Sequence, residues 1–162
     1  MSQADLEELI VADAGAWLGW LGRNHARDAG VWLVLAKKGA TEPTSLTYAQ
    51  ALDEALCHGW IDGQIRRRDE ATFFQRFTPR RARSAWSKRN VGHVERLVKE
   101  GRMTPAGLAE VERAKADGRW EVAYAGQATI EVPDDLRAAL EAEPRAAAAF
   151  DQLSSQNRYA IL

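Results

Sequence analysis

The chain contains little cysteine and histidine, and it has no long apolar run. Cys57 is the only cysteine among 162 residues, so a disulfide framework is excluded and a reducing compartment is expected. The first residues, Met1 to Asp5, are acidic, and no apolar run approaches the roughly 18 residues of a membrane-spanning helix. These absences argue against a secretory signal and a membrane span, so we expect a cytoplasmic protein without membrane insertion.

The motifs of familiar enzymes and metal sites are missing as well. His25, His58 and His93 are scattered, without the close spacing of HExxH or CxxC motifs. No Walker loop, GxGxxG or GxSxG sequence occurs. The sequence therefore predicts no metal, no cofactor and no catalytic residues, and it favours a non-enzymatic role.

Positive charge is concentrated in the middle of the chain, although the net charge is −1. Residues 66–102 hold 12 of the 22 lysines and arginines but 4 of the 23 aspartates and glutamates, which leaves 10 basic and 19 acidic residues elsewhere. The overall balance argues against a dedicated nucleic-acid binder. The basic middle predicts a local surface field that would attract an anion.

Helix caps and short apolar runs divide the first part of the chain into alternating elements. Residues 9–12 fit a short strand or the start of a helix equally well. Residues 31–36 are rich in β-formers and predict a buried strand. Between them, Asp13 is a good N-cap for a helix whose inner side would be formed by Trp17, Leu18 and Leu21.

A capping box and a glycine bound the next helix. Thr47 and Gln50 have the spacing of the box, and Gly59 ends the helix because glycine takes the left-handed conformation without a Cβ penalty. Residues 60–66 and 72–78 then predict the two strands of a hairpin.

Helices dominate the remainder. One follows Pro79 and closes at Gly101, and Thr104 with Pro105 opens another that would bury Leu108, Val111 and Ala114. Trp120 and Tyr124 are expected across the core. Three short helical pieces begin at Asp134, Pro144 and Ser154 or Ser155, and their buried positions would be Leu136, Leu140, Phe150, Leu153, Tyr159 and Ile161.

These elements predict an α+β fold, with a small, mostly antiparallel sheet packed with several helices and followed by a short all-helical segment. We place an α+β core domain at residues 1–125 and a helical C-terminal module at residues 126–162. Leu162 falls within the helical pattern, so we expect this module to be truncated.

The arginine cluster after the hairpin is the first candidate site. The cluster consists of Arg80, Arg81, Arg83, Lys88 and Arg89, and its arginines precede a helix whose first turn would be capped by Ser84 or Ser87. Free backbone N–H groups and the helix dipole favour an anion there, and guanidinium groups add bidentate binding of phosphate or carboxylate. The alternative is that these arginines pair with the acidic flanks of the chain.

Asp62 is the strongest acidic candidate, and Arg80 or Arg81 would be its partner. Cys57 and His58 are adjacent on a helix and cannot face each other, so they do not form a nucleophile and base. Cys57 fits a small buried hydrophobe, and His58 fits a helix C-terminus.

Several blocks of the sequence resemble the YdeI/OmpD-associated family, whose members are also called bacteriocin-protection proteins. The blocks are residues 51–63 and 77–81, Ser84, Trp86, Ser87 and Asn90, residues 101–108, and residues 132–136 with Phe150 and Leu153. Family members usually continue past Leu162 into a basic helix. The resemblance implies a bacterial protein that protects against bacteriocins or antimicrobial peptides, with an indirect link to the cell envelope and no established catalytic residues.

Together, the residues and the resemblance predict a resistance accessory protein that binds an anionic ligand or a protein partner. The arginines of the site would hold charge, its serines and asparagine would orient the ligand, and its tryptophan would shield the pocket. The predicted site residues are Asp62, Arg80, Arg81, Ser84, Trp86, Ser87 and Asn90.

Two other hypotheses remain open. An enzyme would use Asp62, with His58, as an acid or base beside an arginine-bound substrate. A nucleic-acid binder would have an affinity that falls steeply with salt, and it would stack bases on Phe73, Phe74, Phe77 and Trp86.

Overall fold

The strands form one mixed sheet with the order β1-β2-β4-β3. The computed structural model describes residues 6–123 and 131–162. β1 (Glu7–Leu9) runs parallel to β2 (Val31–Ala36), and β2 pairs antiparallel with β4 (Thr72–Pro79). β4 also pairs antiparallel with β3 (Trp60–Arg67), so the predicted hairpin is confirmed and β4 lies inside the sheet.

Seven helices occur in the described ranges, which confirms the α+β class. They are α1 (Ala14–Asn24), α2 (Tyr48–Cys57), α3 (Lys88–Lys99), α4 (Pro105–Ala116), α5 (Asp134–Ala142), α6 (Pro144–Asp151) and α7 (Ser155–Ile161).

Several of these helices begin where the sequence predicted. The Asp13 carboxylate accepts a hydrogen bond from the Ala16 N–H at 2.8 Å. Thr47 and Gln50 form the full capping box, and Thr104 caps α4. Because side-chain oxygens replace the missing intrahelical acceptors, each cap satisfies N–H groups that would otherwise be orphaned.

The two faces of β2 are both covered. Leu33 and its alternate neighbours pack towards the helices, in a core that also holds Trp17, Trp60 and Phe77. Trp32 and Val34 point the other way and pack with Phe74 and Leu6. The outer face is closed by the Arg66 guanidinium, whose carbon lies 4.7 Å from the Trp32 ring centroid and 4.4 Å from that of Phe74.

In α1 and α4 most of the predicted core residues are buried, but one residue of each helix is not. In α1, Leu18 is 44% exposed, whereas Trp20 stacks on Trp17 with ring centroids 5.3 Å apart. In α4, Leu108 is 39% exposed, because Gly107 faces α2 instead; a Cβ on Gly107 would lie 2.2 Å from the Cys57 carbonyl oxygen. Leu18 and Leu108 were therefore wrong as core predictions.

The C-terminal segment forms the three predicted helical pieces. Phe150 is buried, but Ile161 is 58% exposed, so its predicted burial is wrong. Tyr124 and the proposed domain boundary at residues 125 and 126 lie outside the described residues. Within the described ranges, no helix has both the length and the apolar character needed to cross a membrane.

Candidate functional site

A cleft of about 680 Å³ opens where the loop after α1 meets the end of β4. The register that pairs Val31 with Phe77 brings these two segments together. Gly30 makes the approach possible, because a Cβ at this position would lie 2.3 Å from the Phe77 carbonyl oxygen. The two walls of the cleft are therefore held by backbone pairing.

Arginine side chains line this cleft from both walls. β4 and the residues after it contribute Arg76, Arg80 and Arg81, and the loop after α1 contributes Arg27 together with His25. Side chains alternate across a strand, so Arg76 and Arg80 follow the same face of the extended chain, with Thr78 between them. Their guanidinium groups have different partners: Arg76 Nη1 donates to Gln64 Oε1 at 3.5 Å, whereas that of Arg80 faces Trp86 and Ala85.

Arg80 is the most firmly oriented of these arginines. It is 7% exposed, its Nη1 donates to the Ala85 carbonyl oxygen at 3.2 Å, and its backbone N–H donates to the Gly59 carbonyl oxygen at 3.0 Å. Its guanidinium carbon lies 3.5 Å from the centroid of the Trp86 ring. A cation over an indole face is stabilised by the ring quadrupole, most strongly when both groups are desolvated.

The charges of the cleft are only partly compensated. Arg27 donates to Glu7 at 3.0 Å. Asp28 supplies the one carboxylate among the described lining residues. Within residues 6–123 and 131–162, Arg76 and Arg81 form no ion pair, and Arg76 Nε has no hydrogen-bond partner. The cleft therefore carries an excess of positive charge.

Other arginines of the basic middle do pair with acidic residues. Arg96 donates to Asp53 at 2.6 Å, and Arg102 donates to Glu54 at 2.5 Å. Glu100 accepts from both arginines, and their two guanidinium groups lower the pKa of its carboxyl group. Arg96 and Arg102, which lie outside the predicted cluster, thus link the region of α3 to α2 by ion pairs.

The serines of the predicted site bind backbone groups. Ser84 Oγ accepts from the Arg81 N–H at 2.9 Å, and Ser87 Oγ accepts from the Asn90 N–H at 3.1 Å as the N-cap of α3. Of the two predicted caps, Ser87 is the correct one. Asn90 is buried within α3. Ser84, Ser87 and Asn90 are not among the described residues that line the cleft.

Trp86 is a buried support for Arg80. It is 3% exposed, and its ring lies 4.9 Å from the Trp120 ring at an interplanar angle of 59°. Phe74 and Phe77 are buried as well. The base-stacking platform was predicted from Phe73, Phe74, Phe77 and Trp86. Three of these rings are buried and Phe73 is partly buried, which argues against the platform because stacking on bases requires exposed ring faces.

Asp62 belongs to a second polar group on the helix side of the sheet. It accepts a hydrogen bond from the Tyr48 hydroxyl at 2.5 Å, in place of the predicted arginine partner. Burial, together with the hydrogen bond to Asp62, raises the pKa of Tyr48 to about 12. The Arg89 guanidinium carbon lies 5.6 Å from the Tyr48 ring centroid.

His93 lies close enough to this group to respond to its charges. Burial lowers the pKa of His93, and the Arg89 and Arg96 guanidinium groups lower it further, while Asp53 and Asp62 act in the opposite direction. His93 thus favours its neutral form in the folded protein.

Cys57 and His58 have the structural positions that the sequence predicted: Cys57 is buried, and His58 lies at the C-terminus of α2. Cys57 is buried, and burial with the nearby charge of Glu54 raises the pKa of its thiol to about 11. His58 is buried, with Nδ1 2.8 Å from the Glu54 carbonyl oxygen. A thiol with this pKa is a poor nucleophile near neutral pH, because the thiolate is the reactive form.

Comparison with known families gives two matches. Residues 9–110 match the family described as a domain of unknown function, DUF8412. The chain belongs to the DUF8412 family. Residues 129–162 match part of the family described as bacteriocin-protection, YdeI or OmpD-associated, so the resemblance is confirmed for this C-terminal segment. No curated protein and no solved structure matches the chain.

The DUF8412 region contains all the predicted site residues and both walls of the cleft from His25 to Arg81. The sequence located Arg80 and Arg81 but missed His25, Arg27 and Arg76. One signal was available, since Arg76, Thr78 and Arg80 alternate along β4 and into the residue that follows it. The contribution of the α1–β2 loop follows from strand register, which the sequence pattern did not specify.

Proposed function

We propose that this protein binds a small anionic ligand in the cleft between the α1–β2 loop and the end of β4. One observation carries the proposal: Arg76, Arg80 and Arg81 line a cleft of about 680 Å³ in which Asp28 is the one carboxylate among the described lining residues. Arg81 is exposed and has no ion pair among the described residues, and a guanidinium group suits bidentate binding of an oxyanion.

Arg80 contributes a fixed part of the cleft wall. Its guanidinium group stacks on Trp86 and donates to Ala85, and its Nε and Nη2 atoms are buried, so it supports the wall and does not reach out to a ligand. Arg81, which is exposed, would contact the ligand directly.

A binding role is favoured over catalysis by the state of the titratable groups near the cleft. The raised pKa of Cys57 and the hydrogen bond of His58 to Glu54 give neither residue a reactive form directed at a substrate. Asp62 is engaged with Tyr48, which removes support for its role as an acid or base beside an arginine-bound substrate.

We assign the physiological role to bacteriocin or antimicrobial-peptide resistance. The support is the description of the family that residues 129–162 match, which names bacteriocin protection. In this role the anionic ligand occupies the DUF8412 region. Expression of the chain in a bacteriocin-sensitive bacterium is expected to raise survival, and the Arg81→Ala variant is expected to lose that gain. Equal survival with and without the wild-type chain would rule out this role.

Calorimetric titration with inorganic phosphate, pyrophosphate and citrate tests anion binding. Arg81→Ala is compared with Arg83→Ala, which removes the same charge from an exposed arginine two positions along the chain and outside the described cleft lining. We expect Arg81→Ala to weaken binding by at least about tenfold, or ~1.4 kcal/mol, and Arg83→Ala to change it little. Equal losses in the two variants would mean that overall charge, not the cleft, attracts the anion.

A further inference from the structure

Residues 81–89, which lead from β4 into the start of α3, carry a strongly positive surface. This basic segment holds four cations and no acidic residue. All four cations are exposed, and none of them forms an ion pair within residues 6–123 and 131–162. They are Arg81, Arg83, Lys88 and Arg89. Unlike the ion-paired Arg96 and Arg102, these residues leave their charge for a partner.

Hydrogen bonds hold the backbone of the basic segment in place. The Arg81 N–H donates to Ser84 Oγ at 2.9 Å, and the Arg119 guanidinium donates to the Ser84 carbonyl oxygen at 2.7 Å. Trp86 is buried, and Ser87 caps α3. A backbone that is already ordered loses less entropy when its side chains meet a partner. The segment therefore presents its positive charge in a preformed arrangement.

The same chain carries an acidic segment of matching charge, residues 131–143. It contains five acidic residues and one arginine, which gives a net charge of −4 against +4 for the basic segment. All five acidic residues are exposed, and none forms an ion pair in the part of the chain that the structure describes. They are Glu131, Asp134, Asp135, Glu141 and Glu143.

The acidic charge lies on the solvent side of α5. Asp134, Ala138 and Glu141 follow one face of the helix, because positions i, i+4 and i+7 lie above one another. All three are exposed, whereas Leu136 and Leu140 on the other side are half-buried. The face of α5 that carries Asp134 and Glu141 is therefore open to a partner.

The two segments do not neutralise each other within one molecule. Among the described residues, no ion pair joins the basic segment to the acidic segment. Each copy of the chain therefore offers two surfaces, each complementary to a surface of another copy. In a two-fold pair the contact is made twice, because the basic segment of each copy faces the acidic segment of the other. Charge complementarity of this kind favours one partner and speeds the encounter.

We infer that two copies of this chain associate through the basic segment of one copy and the acidic segment of the other. Neither segment has an exposed large apolar side chain among the described residues, so the contact is mainly electrostatic. Exposed ion pairs are individually weak and are screened by salt. The association is therefore reversible, and it depends on protein concentration and ionic strength. It does not involve a ligand in the cleft, so either proposal can fail without the other.

Sedimentation equilibrium of the full chain tests whether the protein associates. We expect a monomer–dimer equilibrium at low salt. The association constant should fall at least about tenfold between roughly 0.1 M and 1 M sodium chloride, because the Debye length shortens from about 10 Å to about 3 Å. A chain that stays monomeric at low salt up to its limit of solubility overturns the inference.

Charge reversal identifies the two surfaces. Arg83→Glu with Lys88→Glu reverses the basic segment outside the described cleft lining, and Asp134→Lys with Glu141→Lys reverses the open face of α5. Each double variant is expected to be monomeric alone, because like charges then face each other. An equimolar mixture of the two is expected to dimerise again, because each reversed surface meets an opposite charge. Misfolding of a variant cannot produce this recovery.

The matched control is Lys38→Glu with Lys99→Glu, which makes the same change of net charge at two exposed lysines outside the basic segment. It is expected to dimerise as the wild type does, and an equal loss would mean that net charge, not these two surfaces, governs association. Folded variants that stay monomeric when mixed also overturn the inference. A monomeric wild type that binds a DNA duplex or phosphatidylglycerol vesicles through Arg83 and Lys88 would overturn it and assign the basic segment to that partner.

Discussion

The guanidinium group of Arg80 lies face-on to Trp86, at 3.5 Å from the ring centroid. Trp86 is itself held against Trp120 and is almost fully buried. The indole therefore acts as a rigid support for a buried cation in the wall of the cleft, rather than as a cover over the ligand. Burial of a guanidinium is costly unless neighbouring groups stabilise its charge, and the ring face is one such group.

This relationship predicts that Trp86→Leu affects binding as well as stability. We expect the free energy of unfolding to fall by about 2–4 kcal/mol, since a large buried ring is replaced by a smaller side chain. Anion affinity should fall as well, because the Arg80 guanidinium loses its support. Trp86→Phe keeps an aromatic face and is expected to show smaller changes in both. Urea denaturation and calorimetry measure the two effects, and unchanged affinity in a folded Trp86→Leu protein would contradict the supporting role.

Gly30→Ala tests the close approach that forms the cleft. A Cβ at position 30 would lie 2.3 Å from the Phe77 carbonyl oxygen and 2.5 Å from Thr78 Cγ2, so the α1–β2 loop and β4 must separate. We expect a loss of about 1–3 kcal/mol in the free energy of unfolding, together with weaker anion binding.

The matched control for this substitution is Gly22→Ala in α1. A Cβ on Gly22 would meet nothing within 4 Å, so the change should stabilise the helix by about 0.5–1 kcal/mol. Opposite signs in urea denaturation are therefore expected for the two variants. Equal stability in both would show that the contact at Gly30 is not restrictive.

Local rules predicted most of the fold because its element ends are determined by nearby residues. Asp13, Thr47 and Thr104 cap the helices that the sequence assigned to them. Errors occurred where packing between elements decided the outcome. In α4, Gly107 packs against α2 in place of Leu108. In α1, Trp20 stacks on Trp17, and Leu18 is 44% exposed.

The candidate site was less predictable, because arginines of the basic middle of the chain meet different partners. Arg96 binds Asp53, which lies 43 positions earlier, while Arg81 lies at the cleft. Charge counting does not separate these two cases. The distinction depends on which helix faces α3 and on the β2–β4 register, and both are properties of the assembled sheet and helices.

Asp62→Asn tests the electrostatic link between β3 and α2. The pKa of Tyr48 is raised from 10.0 to about 12 by burial and by its hydrogen bond and proximity to Asp62. Removal of the carboxylate charge should lower this pKa towards its ordinary value, although burial still keeps it above. Ultraviolet titration of the tyrosines measures the change. Asp53→Asn is the control, and an equal effect in both variants would argue against the specific contact.

The lowered pKa of His93 predicts that the folded protein loses stability in mildly acidic solution. Burial and the nearby Arg89 and Arg96 lower its pKa in the folded protein below the ordinary value of 6.5. As the pH falls below that value, the unfolded chain binds a proton before the folded protein does. The free energy of unfolding therefore decreases with falling pH, until the pH reaches the folded pKa of His93.

Urea denaturation of the wild type and of His93→Gln between about pH 7.5 and pH 5 tests this prediction, in the range where histidine titrates. The wild type should lose more stability over this interval than the variant, because glutamine takes up no proton. A comparison at the upper end of the range gives the cost of the substitution itself, since His93 is neutral there in both the folded and the unfolded state. Parallel pH profiles would mean that His93 protonates equally easily in both states, and that Arg89 and Arg96 do not act on it.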